Sequence, residues 1–152
     1  MKIALISSTG GHWSQLLQIY SEIEKSKPFL KTELITERNE TSSNLKCKFL
    51  HQQDRKNKLF LFILLSNCIR SFLYAILYRP THVISTGAGS VVPYLIFAKL
   101  LGAEIIFIES FAKVSSPTLT GKIVYKFADQ FYVQWPEMMK VYPKSMYKGS
   151  LY

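Results

Sequence analysis

The first bend of the chain constrains the fold more than any other feature. Lys2, Ile3, Ala4, Leu5 and Ile6 form a short apolar, β-branched run that reads as a buried strand. Ser7-Ser8-Thr9-Gly10-Gly11-His12 follows at once. Residues 13–25 then place Leu16, Leu17, Ile19, Tyr20 and Ile23 on one helical face. A strand, a turn on paired glycines and a helix make one βα unit. Glycine has no Cβ, so a ligand can approach the main chain there. The free amides and positive dipole end of a helix start favour an anion such as a phosphate. Two readings stand for this bend: an anion cradle, or only a tight βα turn. A dinucleotide fingerprint is not supported, because the G-x-G-x-x-G spacing is absent.

The alternation continues along the chain. Pro28 ends the first helix, residues 32–36 read as a strand, residues 37–44 as a polar loop, and residues 47–50 as a weak strand. A polar, mostly basic stretch covers residues 51–58. After the long segment 59–78, Pro80 breaks the pattern and residues 82–85 form a strand. Thr86-Gly87-Ala88-Gly89-Ser90 is a second glycine turn, leading into a helix at 91–101 with Pro93 in its first turn. Strands are expected at 103–108 and 129–134, a helix opened by Pro117 and running to about 127, and a short helix from Trp135 that Pro143 ends. This pattern specifies an α/β fold: a Rossmann-like, mostly parallel sheet with helices on both faces. At 152 residues the chain suits one such domain, 1–152, and not two.

In such a sheet, ligands collect beyond the carboxyl ends of the strands. The bend at Gly10 and Gly11, the bend at Gly87 and Gly89, and the turn at Glu109 and Ser110 all fall at carboxyl ends. Three polar loops therefore converge on one edge.

Residues 59–78 are the most apolar segment. A transmembrane span needs ~20 largely apolar residues. This run reaches that length only by including Ser66, Asn67, Arg70 and Ser71, which fall with Tyr74 and Tyr78 on one helical stripe. An arginine at a bilayer centre costs at least ~2.5 kcal/mol. The segment is expected to be a long amphipathic helix. Its wide apolar face packs on the sheet, or lies in lipid headgroups beside Arg55, Lys56, Lys58 and Arg79. The net charge of +9 suits an anionic partner: acidic lipid, a phosphorylated substrate or nucleic acid. No nucleic-acid signature is present, so nucleic acid is not expected as a partner. Cys47 and Cys68 show no C-x-x-C spacing and read as reduced thiols. His12, His51 and His82 make no three-ligand pattern, so neither a metal nor a cofactor is called for. No signal peptide is visible ahead of the first strand.

Five blocks in fixed order carry a family resemblance. They are Ser8-Thr9-Gly10-Gly11-His12, Gly87-Ala88-Gly89-Ser90-Val91-Val92-Pro93, Ile108-Glu109-Ser110-Phe111-Ala112-Lys113-Val114, Leu119-Thr120-Gly121-Lys122 and Val133-Gln134-Trp135-Pro136-Glu137. The chain resembles the membrane-side subunit of the split N-acetylglucosaminyltransferase of the dolichol pathway. It looks closer still to bacterial capsule and exopolysaccharide counterparts of the PssD/CpsF type. The resemblance implies the amino-terminal, acceptor-side half of a GT-B glycosyltransferase cut in two. It implies as partners a donor-binding glycosyltransferase subunit, a UDP-sugar held by that subunit, a polyprenyl-diphosphate-sugar acceptor and an anionic membrane surface. The location implied is the cytoplasmic face of the cell membrane, held peripherally. A non-catalytic recruiter of a partner enzyme is the alternative.

Within this reading the expected catalytic residues are His12 and Glu109, each at the crevice and able to take a proton from an acceptor hydroxyl. The bland alternatives are a local hydrogen bond for His12 and a structural carboxylate for Glu109. Gly10, Gly11, Gly87, Gly89 and Ser90 are expected to bind substrate through main-chain amides, although Ser90 reads equally as a helix N-cap. Arg55, Lys56, Lys58, Arg70, Trp135 and Glu137 are expected to face the membrane or the partner. The basic, aromatic tail with Lys140, Tyr142, Lys144, Tyr147, Lys148 and Tyr152 reads as a docking segment or a solvated terminus.

Overall fold

The computed structural model describes residues 1–38, 42, 45–54 and 56–152. Its elements run β1 (Lys2–Ser7), α1 (Gly11–Ser26), β2 (Lys31–Glu37), β3 (Cys47–Leu50), α2 (Phe60–Tyr78), β4 (His82–Gly87), α3 (Val92–Leu100), β5 (Glu104–Ile108), α4 (Leu119–Val124), β6 (Gln130–Val133) and β7 (Met146–Tyr147). Single turns of 3-10 helix lie at Gly89–Val91 and Pro136–Lys140. All seven strands form one sheet in the order β3-β2-β1-β4-β5-β6-β7, and every pairing is parallel. The chain builds outward from β1 to β3, then returns to lay β4 against the other side of β1. That reversal opens a crevice above the carboxyl ends of β1 and β4.

The period-two alternation of the strands divides the core between two faces. On one face Ala4, Ile6, Ile35, Val83, Ile105 and Phe107 pack with Ala75, Tyr94, Leu95 and Val124 of α2, α3 and α4. On the other, Ile3, Leu5 and Leu34 pack with Trp13 and Leu16 of α1. Each such buried aliphatic side chain contributes about 1.5–3 kcal/mol.

The orientation of α2 departs from expectation. Its polar stripe faces the protein: Asn67, Ser71 and Ala75 are fully buried. Leu61, Phe62, Leu65, Ile69, Phe72, Leu73 and Leu77 face outward and are exposed. The reason lies at the sheet edge. β3 is the outermost strand, and its free backbone groups need partners. Asn67 receives the His51 amide and donates to the His51 carbonyl, both at 2.8 Å. Arg70 Nη1 and the Tyr74 hydroxyl both donate to the Phe49 carbonyl, at 3.1 and 3.2 Å. The Tyr78 hydroxyl donates to the carbonyl of Lys31 at 2.7 Å. The expected packing of the apolar face on the sheet is thus corrected: the polar stripe carries out that packing.

Smaller differences have local causes. α4 starts at Leu119, not Pro117, because Thr118 is its N-cap and accepts the Gly121 amide at 2.7 Å. Ser90 is not the N-cap of α3; Val91 holds that place, and Ser90 sits in the preceding 3-10 turn. The tail is not a free terminus. Tyr142 is buried, and β7 adds a seventh strand. The expected polar loop at 37–44 begins one residue later, since Glu37 ends β2; residues 39–41, 43 and 44 lie outside the described residues.

Candidate functional site

The two glycine bends are laced to each other. The Ser8 amide donates to the Gly87 carbonyl at 2.7 Å, and the Ala88 amide to the Ser8 hydroxyl at 3.3 Å. His12 closes the joint. Its Nδ1 stands 2.5 Å from the Thr86 carbonyl, and the Thr86 hydroxyl donates to the His12 carbonyl at 2.8 Å. A carbonyl only accepts, so Nδ1 carries the proton. A neutral ring then leaves Nε2 as the lone-pair nitrogen. The imidazole lies over Gly87, where a Cβ would come within 3.2 Å of His12 Cε1 and φ is +99°. Both facts require glycine at that position. Gly10 takes φ +72° to turn the chain into α1, whose first turn has no side-chain cap.

These elements line two depressions on the same sheet edge. The larger, about 530 Å³, lies between the bends, the end of β2 and the loop after β3. Ser8, Thr9, Glu37, Gln53, Gly89 and Ser90 give it polar walls, and Phe60, Leu64, Pro93, Leu119 and Ile123 an apolar one. The smaller, about 280 Å³, holds His12 and Gly11 with Ser110, Phe111 and Tyr152. The structure therefore joins His12 to Gly11 and the Ser110 turn, and joins Gly89 and Ser90 to the first bend. Gly87 is buried beneath His12. The Ser8 amide is consumed between the two bends and is not free for a ligand.

Glu109 does not face the crevice. It is 1% exposed, and its carboxylate turns inward beneath α4. There it accepts hydrogen bonds from the Ser110 amide at 2.8 Å, the Thr118 hydroxyl at 2.9 Å, the Thr118 amide at 3.3 Å and the Tyr142 hydroxyl at 2.7 Å. Burial and the adjoining carboxylate push the Tyr142 hydroxyl well above its ordinary pKa, so it stays a donor. A Cβ on Gly121 would fall 2.0 Å from Glu109 Oε2, so the glycine leaves the space the carboxylate fills. The expected crevice base is corrected to a structural carboxylate that holds the 110–118 loop and α4 to the sheet.

The remaining candidates separate cleanly. Trp135 donates its indole N–H to the Phe111 carbonyl at 2.7 Å and packs against the Phe111 ring, tilted by 39° with centroids 5.0 Å apart, so it shapes the His12 depression. Gln134 of the same motif is buried; it donates to the Glu109 carbonyl at 2.9 Å and accepts from the Leu151 amide at 3.0 Å. Arg70 points at the sheet edge, where its Nη1 donates to the Phe49 carbonyl at 3.1 Å. Lys56, Lys58 and Glu137 are exposed. Arg55 lies outside the described residues. Glu37 and Gln53 were not anticipated: the first reads as loop in sequence, and the second sits in a polar run with nothing to distinguish it. Among the described residues, no group of three or more His, Cys, Asp or Glu side chains is placed to hold a metal ion.

The fold and this edge define the class: a Rossmann-like α/β domain of the kind that forms the amino-terminal half of GT-B enzymes. The chain superposes on Acinetobacter baumannii MurG with a TM-score of 0.76 at 16% identity, covering 99% of this chain and 46% of that one. A UDP-N-acetylglucosamine 2-epimerase from Rickettsia bellii gives a TM-score of 0.76 at 14% identity, over 99% of this chain and 45% of that one. The chain thus spans under half the length of these solved structures, and the likeness shows the fold alone. A family model described as "Oligosaccharide biosynthesis protein Alg14 like" matches residues 59–151, well over half of the chain, and the chain belongs to this Alg14-like family. The UDP-N-acetylglucosamine transferase subunit ALG14 of Rattus norvegicus is 25% identical over 177 residues, covering 98% of this chain and 82% of that protein. Its Schizosaccharomyces pombe counterpart is 39% identical over 75 residues, 46% of this chain.

Proposed function

We propose that this chain is the acceptor-side subunit of a two-chain glycosyltransferase that moves a sugar from a UDP-sugar to a lipid-diphosphate-linked sugar. Family membership supports the subunit reading, since the relatives are named as transferase subunits. One structural observation carries it further: residues of both glycine bends and the polar end of β2 share one open cleft at the carboxyl edge of the sheet. A second polypeptide would bring the UDP-sugar and close that cleft. The bends supply main-chain donors for the diphosphate, and His12 Nε2 serves as the base for the attacking hydroxyl. The relatives named above are an animal and a fungal protein, which lend no support to the narrower setting of bacterial capsule or exopolysaccharide. That setting rests on the resemblance of the sequence motifs.

The outward face of α2 supports peripheral attachment to a membrane. By length and composition α2 is apolar enough to cross a bilayer. Crossing would strip Asn67, Arg70 and Tyr74 of their partners at the sheet edge, at several kcal/mol for each buried polar group left unpaired. Lying in the interface keeps those bonds and buries the exposed leucines and phenylalanines, with Lys56, Lys58 and Arg79 flanking the helix.

The inward turn of Glu109 favours a second reading, in which this chain only recruits and activates its partner. His12→Asn separates the two. Asparagine preserves a donor toward the Thr86 carbonyl and removes Nε2. Transfer from UDP-N-acetylglucosamine to a prenyl-diphosphate-linked sugar is measured for the chain alone and with its donor subunit. The catalytic reading expects no transfer by the chain alone, transfer by the pair, and at least ~100-fold loss in an assembled His12→Asn pair. Full activity of that variant pair establishes the recruiter, and robust transfer by the single chain overturns both readings.

A further inference from the structure

Two buried polar atoms in the larger depression lack hydrogen-bond partners among the described residues, and a buried carboxylate stands beside them. Glu37 is 5% exposed, and among the described residues its carboxylate receives one hydrogen bond, from the Gln53 amide at 3.4 Å. No ion pair reaches it there. Gln53 Nε2 and Ser90 Oγ are buried and have no hydrogen-bond partner among the described residues. All three side chains line the same cleft. A buried carboxylate or amide without partners is costly, and natural interiors rarely leave one. Two such atoms beside a sparsely bonded carboxylate, around one opening, mark a place where a ligand supplies the missing bonds.

We propose that Glu37, Gln53 and Ser90 form the subsite for the sugar of the lipid-linked acceptor. The inference rests on the acceptor-side reading above and adds where the sugar sits and what holds it. The chemistry selects a neutral polyhydroxyl group. The carboxylate has only lone pairs to offer, so it takes O–H or N–H donors and repels phosphate. Gln53 Nε2 has only hydrogens to offer, so it takes a hydroxyl or acyl oxygen. Ser90 serves either sense. A sugar hydroxyl satisfies each of them, and bonds to an ionised acceptor are the strong kind.

The topology separates this subsite from the diphosphate. β2 neighbours β1, and β4 lies on the far side of β1. At about 4.8 Å per strand, the end of β2 stands ~5 Å from the first bend and ~10 Å from the second. The diphosphate lies over the bends, and the sugar sits beside Ser90, between the bends and the end of β2.

The test uses the assembled pair with Glu37→Gln and Gln53→Leu. Two ligands are compared, a prenyl diphosphate carrying N-acetylglucosamine and the same prenyl diphosphate without sugar. Each variant is expected to raise the KM for the sugar-bearing acceptor about tenfold or more, with the KM for UDP-N-acetylglucosamine unchanged. Binding of the sugarless lipid is expected to stay at the wild-type level, as is the urea midpoint. Unchanged acceptor KM in both variants overturns the subsite, and so does equal weakening toward the sugarless lipid. If the wild-type pair transfers no sugar yet the variants still bind the sugar-bearing lipid selectively less well, the subsite stands and the transferase reading falls.

Discussion

Glu37 and Glu109 end neighbouring regions of one sheet edge, and both are almost completely buried. Their surroundings are opposite. Glu109 accepts from two backbone amides and two hydroxyls, with α4 and Tyr142 built around it. Among the described residues Glu37 receives one long bond, and it has an open cleft in front of it. Burial alone therefore says nothing of role. The count of donors does: a saturated carboxylate holds the fold, and an unsaturated one at a cleft waits for a ligand.

The comparison breaks most visibly at Gly121. Gly121→Ala places a Cβ 2.0 Å from Glu109 Oε2 and 2.5 Å from the Tyr142 hydroxyl, in a buried setting with no slack. A loss of ~3 kcal/mol or more in unfolding free energy is expected. Glu109→Ala removes the acceptor of four donors and should cost ~2–4 kcal/mol for the same reason. Glu37→Gln is expected to leave stability within ~0.5 kcal/mol of wild type, because little is lost with it. Urea unfolding of the three variants checks the contrast. Equal destabilisation at Glu37 and Glu109 would erase it.

The sequence showed the frame and hid this distinction. Both glycine bends, the parallel order and the convergence at the carboxyl edge follow from βα alternation and glycine position. Side-chain direction at a strand end does not follow. Glu109 looks like a crevice base because its strand ends there, yet Gly121 and Tyr142, 12 and 33 positions later, draw it inward. Glu37 reads as loop because a polar run follows it. The direction of α2 was likewise open: periodicity shows that a helix has two faces, and only the unpaired edge of β3 decides which face turns inward.

That helix repeats the contrast at intermediate size. Asn67→Ala leaves the amide and carbonyl of His51 without their partner and is expected to destabilise the chain by ~1–3 kcal/mol. Phe62→Glu with Leu65→Glu alters residues that are 73% and 60% exposed, so the fold should tolerate it. Sedimentation with anionic vesicles should instead fall about tenfold or more, since two apolar side chains no longer enter the interface. Unaltered vesicle binding by the double variant, with the fold intact, would remove α2 as the attachment site.

The smallest test extends donor counting to two carboxylates away from the cleft. At Asp129 burial alone would raise the pKa, but the Lys99 ammonium and the Ile105 amide outweigh it and hold the carboxyl below its ordinary 3.8. At Glu33 burial dominates, and Lys48 and Lys2 do not offset it, so the carboxyl lies above its ordinary 4.5. The signs follow by linkage. Asp129 contributes stability that is present above pH 3.8 and lost as pH falls through its lower folded value. Glu33 favours the fold below pH 4.5, and that advantage is lost as pH rises through its raised folded value. Urea midpoints between pH 3 and 7 should therefore show the stability gap between wild type and Asp129→Asn closing in acid. The gap between wild type and Glu33→Gln should move against wild type as pH rises past 4.5. Because Lys99 and Asp129 are about one-third exposed, solvent screening limits their effect to a few tenths of a kcal/mol. Shifts of the same sign in both series would mean that donor number does not govern these carboxylates, and the argument from Glu109 to Glu37 would lose its footing.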